Sequence, residues 1–199
     1  MNQIQRISFS FALLGFLLSS SGCGYTWRNK SNPWKAQKVE RVYIKAMINN
    51  TLRSGLEVPF TSALIREFSR GPKVRIASNE ENSDAVIESS LDAVGSSIGP
   101  TTTVDRLSQD PAARAFNDYV IASEYSASAT ITVSLVRKQD KRVLWTRAFS
   151  ESKTYPANNR FGLVGSTSAL INSSQEQLAL NEIAQVLASD AYDTMFEAF

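Results

Sequence analysis

Residues 119–135 read YVIASEYSASATITVSL. Apart from Ser123, the odd positions are apolar or aromatic: Tyr119, Ile121, Tyr125, Ala127, Ala129, Ile131, Val133 and Leu135. The even positions from Ala122 and Glu124 on are Ser126, Ser128, Thr130, Thr132 and Ser134. An apolar set that recurs every second residue marks a strand with one face in a core. A helix would repeat every three to four residues instead. The other face, small and hydroxylic, is left for water or for a partner.

The neighbouring stretches extend this strand into a sheet. RKQDKR (137–142) makes a turn, and VLWTRAFSES (143–152) returns as the next strand. Upstream, Ala85, Ile87, Leu91 and Ala93 mark one face of a strand ending near Gly95–Gly99. KVRIAS (73–78) is a short strand, and Val42, Ile44, Ala46 and Ile48 alternate as another. Two helices complete the set. LEVPFTSALIREFSRGP (56–72) tolerates Pro59 in its first turn, places Phe60, Leu64 and Phe68 on one face, and stops at Gly71–Pro72. At about 174–198, Leu180, Ile183, Ala184, Leu187, Ala191 and Met195 form a stripe at the helical repeat. The stretches 99–118 and 153–172 read as irregular. This order predicts an α+β protein: a two-layer α/β sandwich, with two helices on one face of a mixed four- to five-stranded sheet.

In such a sheet, strands 85–98, 119–137 and 143–152 form an up-down-up meander. The turn at 138–142 then lies at one end and both irregular stretches at the other. That arrangement gathers Arg106, Arg114, Lys153 and Arg160 at one tip.

Composition excludes several kinds of chemistry. Lys and Arg number 21 against 19 Asp and Glu, a balance that argues against a nucleic-acid partner. The chain contains no histidine, so the commonest general base and metal ligand are missing. No metal, cofactor or catalytic residue is expected. GSSIG (95–99) matches the G-x-S-x-G nucleophile elbow, but PTTT follows it and no histidine exists to serve the serine. SESK (150–153) matches S-x-x-K, yet it ends a strand and lacks companion motifs.

The one cysteine, Cys23, lies in FLLSSSGCGYTW (16–27). MNQIQR carries a positive charge at Arg6, and ISFSFALLGFLL (7–18) is almost wholly apolar. Small residues follow, which completes an export signal. The apolar run is shorter than the ~20 residues of a membrane-spanning helix. A cysteine directly after the small residues is the mark of a bacterial lipoprotein signal, although Leu18 stands five residues before Cys23 rather than three. An ordinary secretory signal beside a free thiol is the alternative, and an exposed thiol is a liability in an oxidising compartment. The expected organisation is a removed signal at 1–22, a lipidated tether at 23–38 and one domain at 39–199. Gly24, where aspartate would retain a lipoprotein at the inner membrane, directs it to the outer one. Trp27 and Trp34 have two open settings, the membrane interface or the domain.

Several segments resemble the LPS-assembly lipoprotein family LptE. They are CGYTW after the lipid site, RVYIKAMINNTLRSGLEVPFTSALIREF (41–68), DAVIESSLDAV (84–94), the aromatic start of the long strand at Tyr119, KRVLW (141–145) and NEIAQVLASDAYDTM (181–195). VYIKAMINNT also resembles other outer-membrane lipoproteins, including LpoB-type activators of peptidoglycan synthases and CsgG-type secretion proteins. The LptE resemblance implies a non-catalytic outer-membrane lipoprotein, facing the periplasm, that plugs the lumen of an LptD-type β-barrel. It also implies help in assembling that barrel and binding of lipopolysaccharide, whose phosphates suit the tip carrying Arg106, Arg114, Lys153 and Arg160. The barrel lumen is polar, which suits the face of Ser126, Ser128, Thr130 and Thr132.

Overall fold

The strand read at 119–135 lies inside the main sheet from Glu124 on, whereas Tyr119–Ala122 belongs to a separate two-stranded sheet. The computed structural model describes residues 32–99, 101–104, 119–122, 124–157 and 166–197. In chain order the elements are β1 (Arg41–Ile44), β2 (Ile48–Asn49), α1 (Glu57–Arg70), β3 (Arg75–Ile76), β4 (Ala85–Ile98), β5 (Thr101–Val104), β6 (Tyr119–Ala122), β7 (Glu124–Arg137), β8 (Val143–Pro156) and α2 (Ser166–Glu197). The main sheet runs β3-β1-β4-β7-β8, with β2 also on β4. β1 pairs parallel with β3 and β4, whereas β4, β7 and β8 form the expected antiparallel meander. Parallel neighbours need a crossover, and α1 supplies it between β1 and β3. The fold is α+β, with two helices over a mixed sheet.

One core fills the space between sheet and helices. β7 contributes Ala127, Ala129, Ile131, Val133 and Leu135, all buried. The face of α1 is Phe60, Ala63, Leu64 and Phe68, and every residue of the expected α2 stripe is buried too. Each such Leu, Ile or Phe contributes about 1.5–3 kcal/mol on leaving water. The helices meet through an aromatic cluster: the Phe68 and Tyr192 rings stand nearly perpendicular at 5.1 Å, and Tyr192 lies 4.7 Å from Phe196. A side chain on Gly71 would collide with the Tyr192 ring and its hydroxyl. The glycine that ends α1 therefore also admits α2.

Several expectations are corrected. The alternation at 42–48 breaks after Ile44. Thr61 Oγ1 takes the Met47 amide at 2.9 Å, Met47 turns into the core, and Ala46 and Ile48 face out. In β4 the register against β7 shifts between Leu91 and Ala93. Beyond this bulge at Asp92 the phase reverses, so Ala93 is exposed while Val94 packs on the core. The stretch 99–118 is not wholly irregular: β5 pairs with β6 from Thr101↔Ala122 to Val104↔Tyr119, in the same register as Ile98↔Tyr125 of β4 and β7. β8 runs on to Pro156, and α2 starts at Ser166, well before 174.

Trp34 has only one of its two settings. Pro33–Gln37 form a 3-10 turn capped by Asn32, whose side chain accepts from the Trp34 amide at 2.9 Å and donates to Val39 O at 2.6 Å. The indole is 1% exposed and joins the core. Asn32–Lys38, assigned above to the tether, is thus folded with the domain.

Candidate functional site

The candidate face is the side of the sheet away from the helices. Its centre is the even-numbered side of β7, flanked by β4 and β8. Ser128 is exposed, and Ser126, Thr130 and Thr132 are partly so. The hydroxyls bond across the strands rather than standing as separate solvated groups. Thr130 Oγ1 lies 2.9 Å from Ser150 Oγ, and Ser134 Oγ lies 2.7 Å from Thr146 Oγ1.

At the β4 bulge, Asp92 accepts from Thr132 at 2.6 Å, from Ser90 at 2.7 Å and from Asn50 at 3.2 Å. Burial pushes its carboxyl up, and the three donors outweigh that, holding it below the usual carboxylate range. The result is a wettable lattice that carries a fixed negative charge at Asp92 and, opposite Ser134, the exposed Glu88 paired with Lys45 at 3.0 Å. Such a surface can meet polar groups over a wide area.

Sequence reasoning placed only the β7 residues on this face. Thr146 and Ser150 of β8 belong to it too, and their signal was the continued alternation through Thr146, Ser150, Ser152 and Thr154. Asp92 gave no periodic signal, because it sits in the bulge.

Of the four basic residues expected at the tip, Lys153 alone lies among the described residues. Lys153 lies within β8, opposite Ala127 and so on the helix side, where its ammonium pairs with Glu182 of α2. Arg106, Arg114, Arg160 and Cys23 lie outside the described residues. Where the loop after β2 approaches α2, a cleft is closed by a bidentate pair, Arg53 to Glu176 at 2.8 and 2.9 Å. The fork-to-fork bonds raise the guanidinium's proton affinity.

The two catalytic-looking strings take no catalytic form. GSSIG lies in the end of β4, where Ser97 pairs with Ser126 in extended backbone, not on a strand-to-helix elbow. Ser150 and Lys153 point to opposite faces of β8, so they cannot act on one another. Among the described residues no group of three His, Cys, Asp or Glu is placed to hold a metal, and no helix there is long and apolar enough to cross a membrane.

Comparison with known proteins adds a family. The model of the lipopolysaccharide-assembly family LptE matches residues 39–195. A search of curated proteins gave no significant match. Among solved structures, the chain is similar to rare lipoprotein B from Shewanella oneidensis, at 14% identity over 80% of this chain and 96% of that one, with TM-score 0.43. It is also similar to a lipoprotein B from Nitrosomonas europaea, at 14% identity over 88% and 92%, with TM-score 0.47. A protein from Xanthomonas campestris matches at 12% identity over 88% and 90%, with TM-score 0.49.

Proposed function

Because the chain belongs to the LptE family of lipopolysaccharide-assembly proteins, we propose that it is an outer-membrane lipoprotein, anchored through Cys23, that plugs an LptD-type β-barrel and helps it assemble. The observation that carries this reading is the family match over nearly the whole folded domain. The hydroxyl lattice supports it: a barrel lumen is polar, and the uncharged side chains of Ser126, Ser128, Thr130 and Thr132 offer it donors and acceptors. In this reading the protein performs no catalysis. Lipopolysaccharide binds at the loop end through Arg106, Arg114 and Arg160, with Lys153 joining only by giving up Glu182.

Co-purification in mild detergent tests the proposal. Wild type should bring down a large β-barrel in stable amount. Thr130→Arg places bulk and charge in the middle of the lattice while leaving the core untouched. It should stay folded and lose most of the barrel. Recovery of no barrel with wild type would overturn the plug reading, and normal recovery with Thr130→Arg would remove the lattice from the interface.

A further inference from the structure

β8 is the outermost strand on its side of the sheet, 14 residues long and paired, among the described residues, with β7 alone. At about 3.3 Å per residue this is an open edge of roughly 46 Å. Proteins usually shorten or cover such an edge, because its free backbone groups recruit another strand.

The register shows which groups are free. Gly99 N donates to Glu124 O, so even-numbered residues of β7 turn their backbone groups toward β4 and odd-numbered ones toward β8. The odd residues Tyr125 to Leu135 lie opposite Tyr155 to Trp145 of β8. The amides and carbonyls of Thr146, Ala148, Ser150 and Ser152 therefore point outward along the edge.

The side chains on the helix side of this edge are self-complementary. Phe149 is flanked two residues away by Arg147 and Glu151, of opposite charge, and neither forms an ion pair among the described residues. We propose that β8 pairs antiparallel with β8 of a second copy about a two-fold axis at Phe149. Ala148 then faces Ser150 of the second copy as a hydrogen-bonded pair, using the groups that point outward. Arg147 faces Glu151 of the second copy twice, and Phe149 faces its equivalent. Moving the register by one repeat sets Arg147 against Lys153 or against Phe149, so the charges favour one alignment.

Helix α2 supports a second copy over a thin peptide. Leu178 and Val186, one turn either side of Glu182, are 56% and 44% exposed. Glu182 reaches down to Lys153 of β8, so this apolar flank borders the same edge and can meet its equivalent across the axis. Pairing through the edge leaves the hydroxyl lattice of both copies uncovered, and because a lumen that takes in one domain excludes its partner, the dimer is the form of the chain outside a barrel.

Sedimentation velocity on the full chain in mild detergent, read across a concentration series, tests the proposal. Wild type should dimerise. Arg147→Glu and Glu151→Arg each place like charges opposite twice and should weaken the dimer about tenfold or more. The double variant Arg147→Glu/Glu151→Arg restores both pairs and should recover the wild-type affinity. The axis is tested separately by oxidising Phe149→Cys, with wild type as the control for Cys23. A non-hydrogen-bonded antiparallel pair sets the Cα atoms about 4.5 Å apart, within disulfide reach, so this variant should cross-link and Ser150→Cys should not. A monomeric wild type, single reversals that associate as wild type does, or a double variant no better than the singles would overturn the proposal.

Discussion

Asp84 fastens the start of β1 to the start of β4 at a single carboxylate. One oxygen accepts from the amides of Arg41 at 2.8 Å and Glu40 at 3.1 Å, while the other accepts from the Arg41 guanidinium at 3.3 Å. Burial pushes the carboxyl up, but these donors outweigh it and hold the group below the usual carboxylate range. Asp84→Ala should lower stability by about 1–3 kcal/mol in urea unfolding, since two amides lose their acceptor. A depressed carboxylate adds stability that is present above its unfolded pKa and lost as pH falls through the folded value. Wild type should therefore weaken below about pH 4, and Asp84→Ala should weaken less over that window. Asp92 has the same sign. So does Asp140, which the Arg137 guanidinium holds at about 2.

At the scale of elements, β7 is the test of the two-faced sheet. Ile131 is 1% exposed beneath the helices, and Ile131→Asp would leave an unpaired charge there, costing several kcal/mol. The cooperative thermal transition should disappear, whereas Ile131→Val should stay folded at a cost of about 0.5–1.5 kcal/mol. This strand was legible because its own alternation runs unbroken from Ser126 to Leu135, the bulges lying in its neighbours, and only one of its faces is buried. α1 was legible for a similar reason, with Phe60, Leu64 and Phe68 at the helical repeat. The misreadings fall where a local bond or bulge breaks the period. Thr61 captures Met47, Asp92 occupies the bulge, and polar Ser166–Thr167 open a helix that has no apolar stripe in its first turns. The hydroxyl face was legible on β7 and extends onto β8. The placement of Lys153 was not legible, because a lysine at a strand end reads as a loop residue until its partner on α2 is known.

For the whole molecule, the segment ahead of β1 is part of the core through Trp34. Trp34→Ala empties a site enclosed by the core and should cost about 3–5 kcal/mol, read as a lower thermal midpoint with the same end state. Asn32 and Trp34, folded with the domain, also bound how far it could stand from Cys23. A lipid on Cys23 would leave nine residues before Asn32, a reach of at most about 32 Å even fully extended. A domain held within that radius of a membrane searches a thin layer at its surface, so its encounters follow its density in the membrane. Encounters with a barrel in the same membrane, or with a second copy beside it, then no longer depend on abundance in the periplasm. With a lipid on Cys23, the buried indole would act as a ruler, setting how far the domain can search from the membrane.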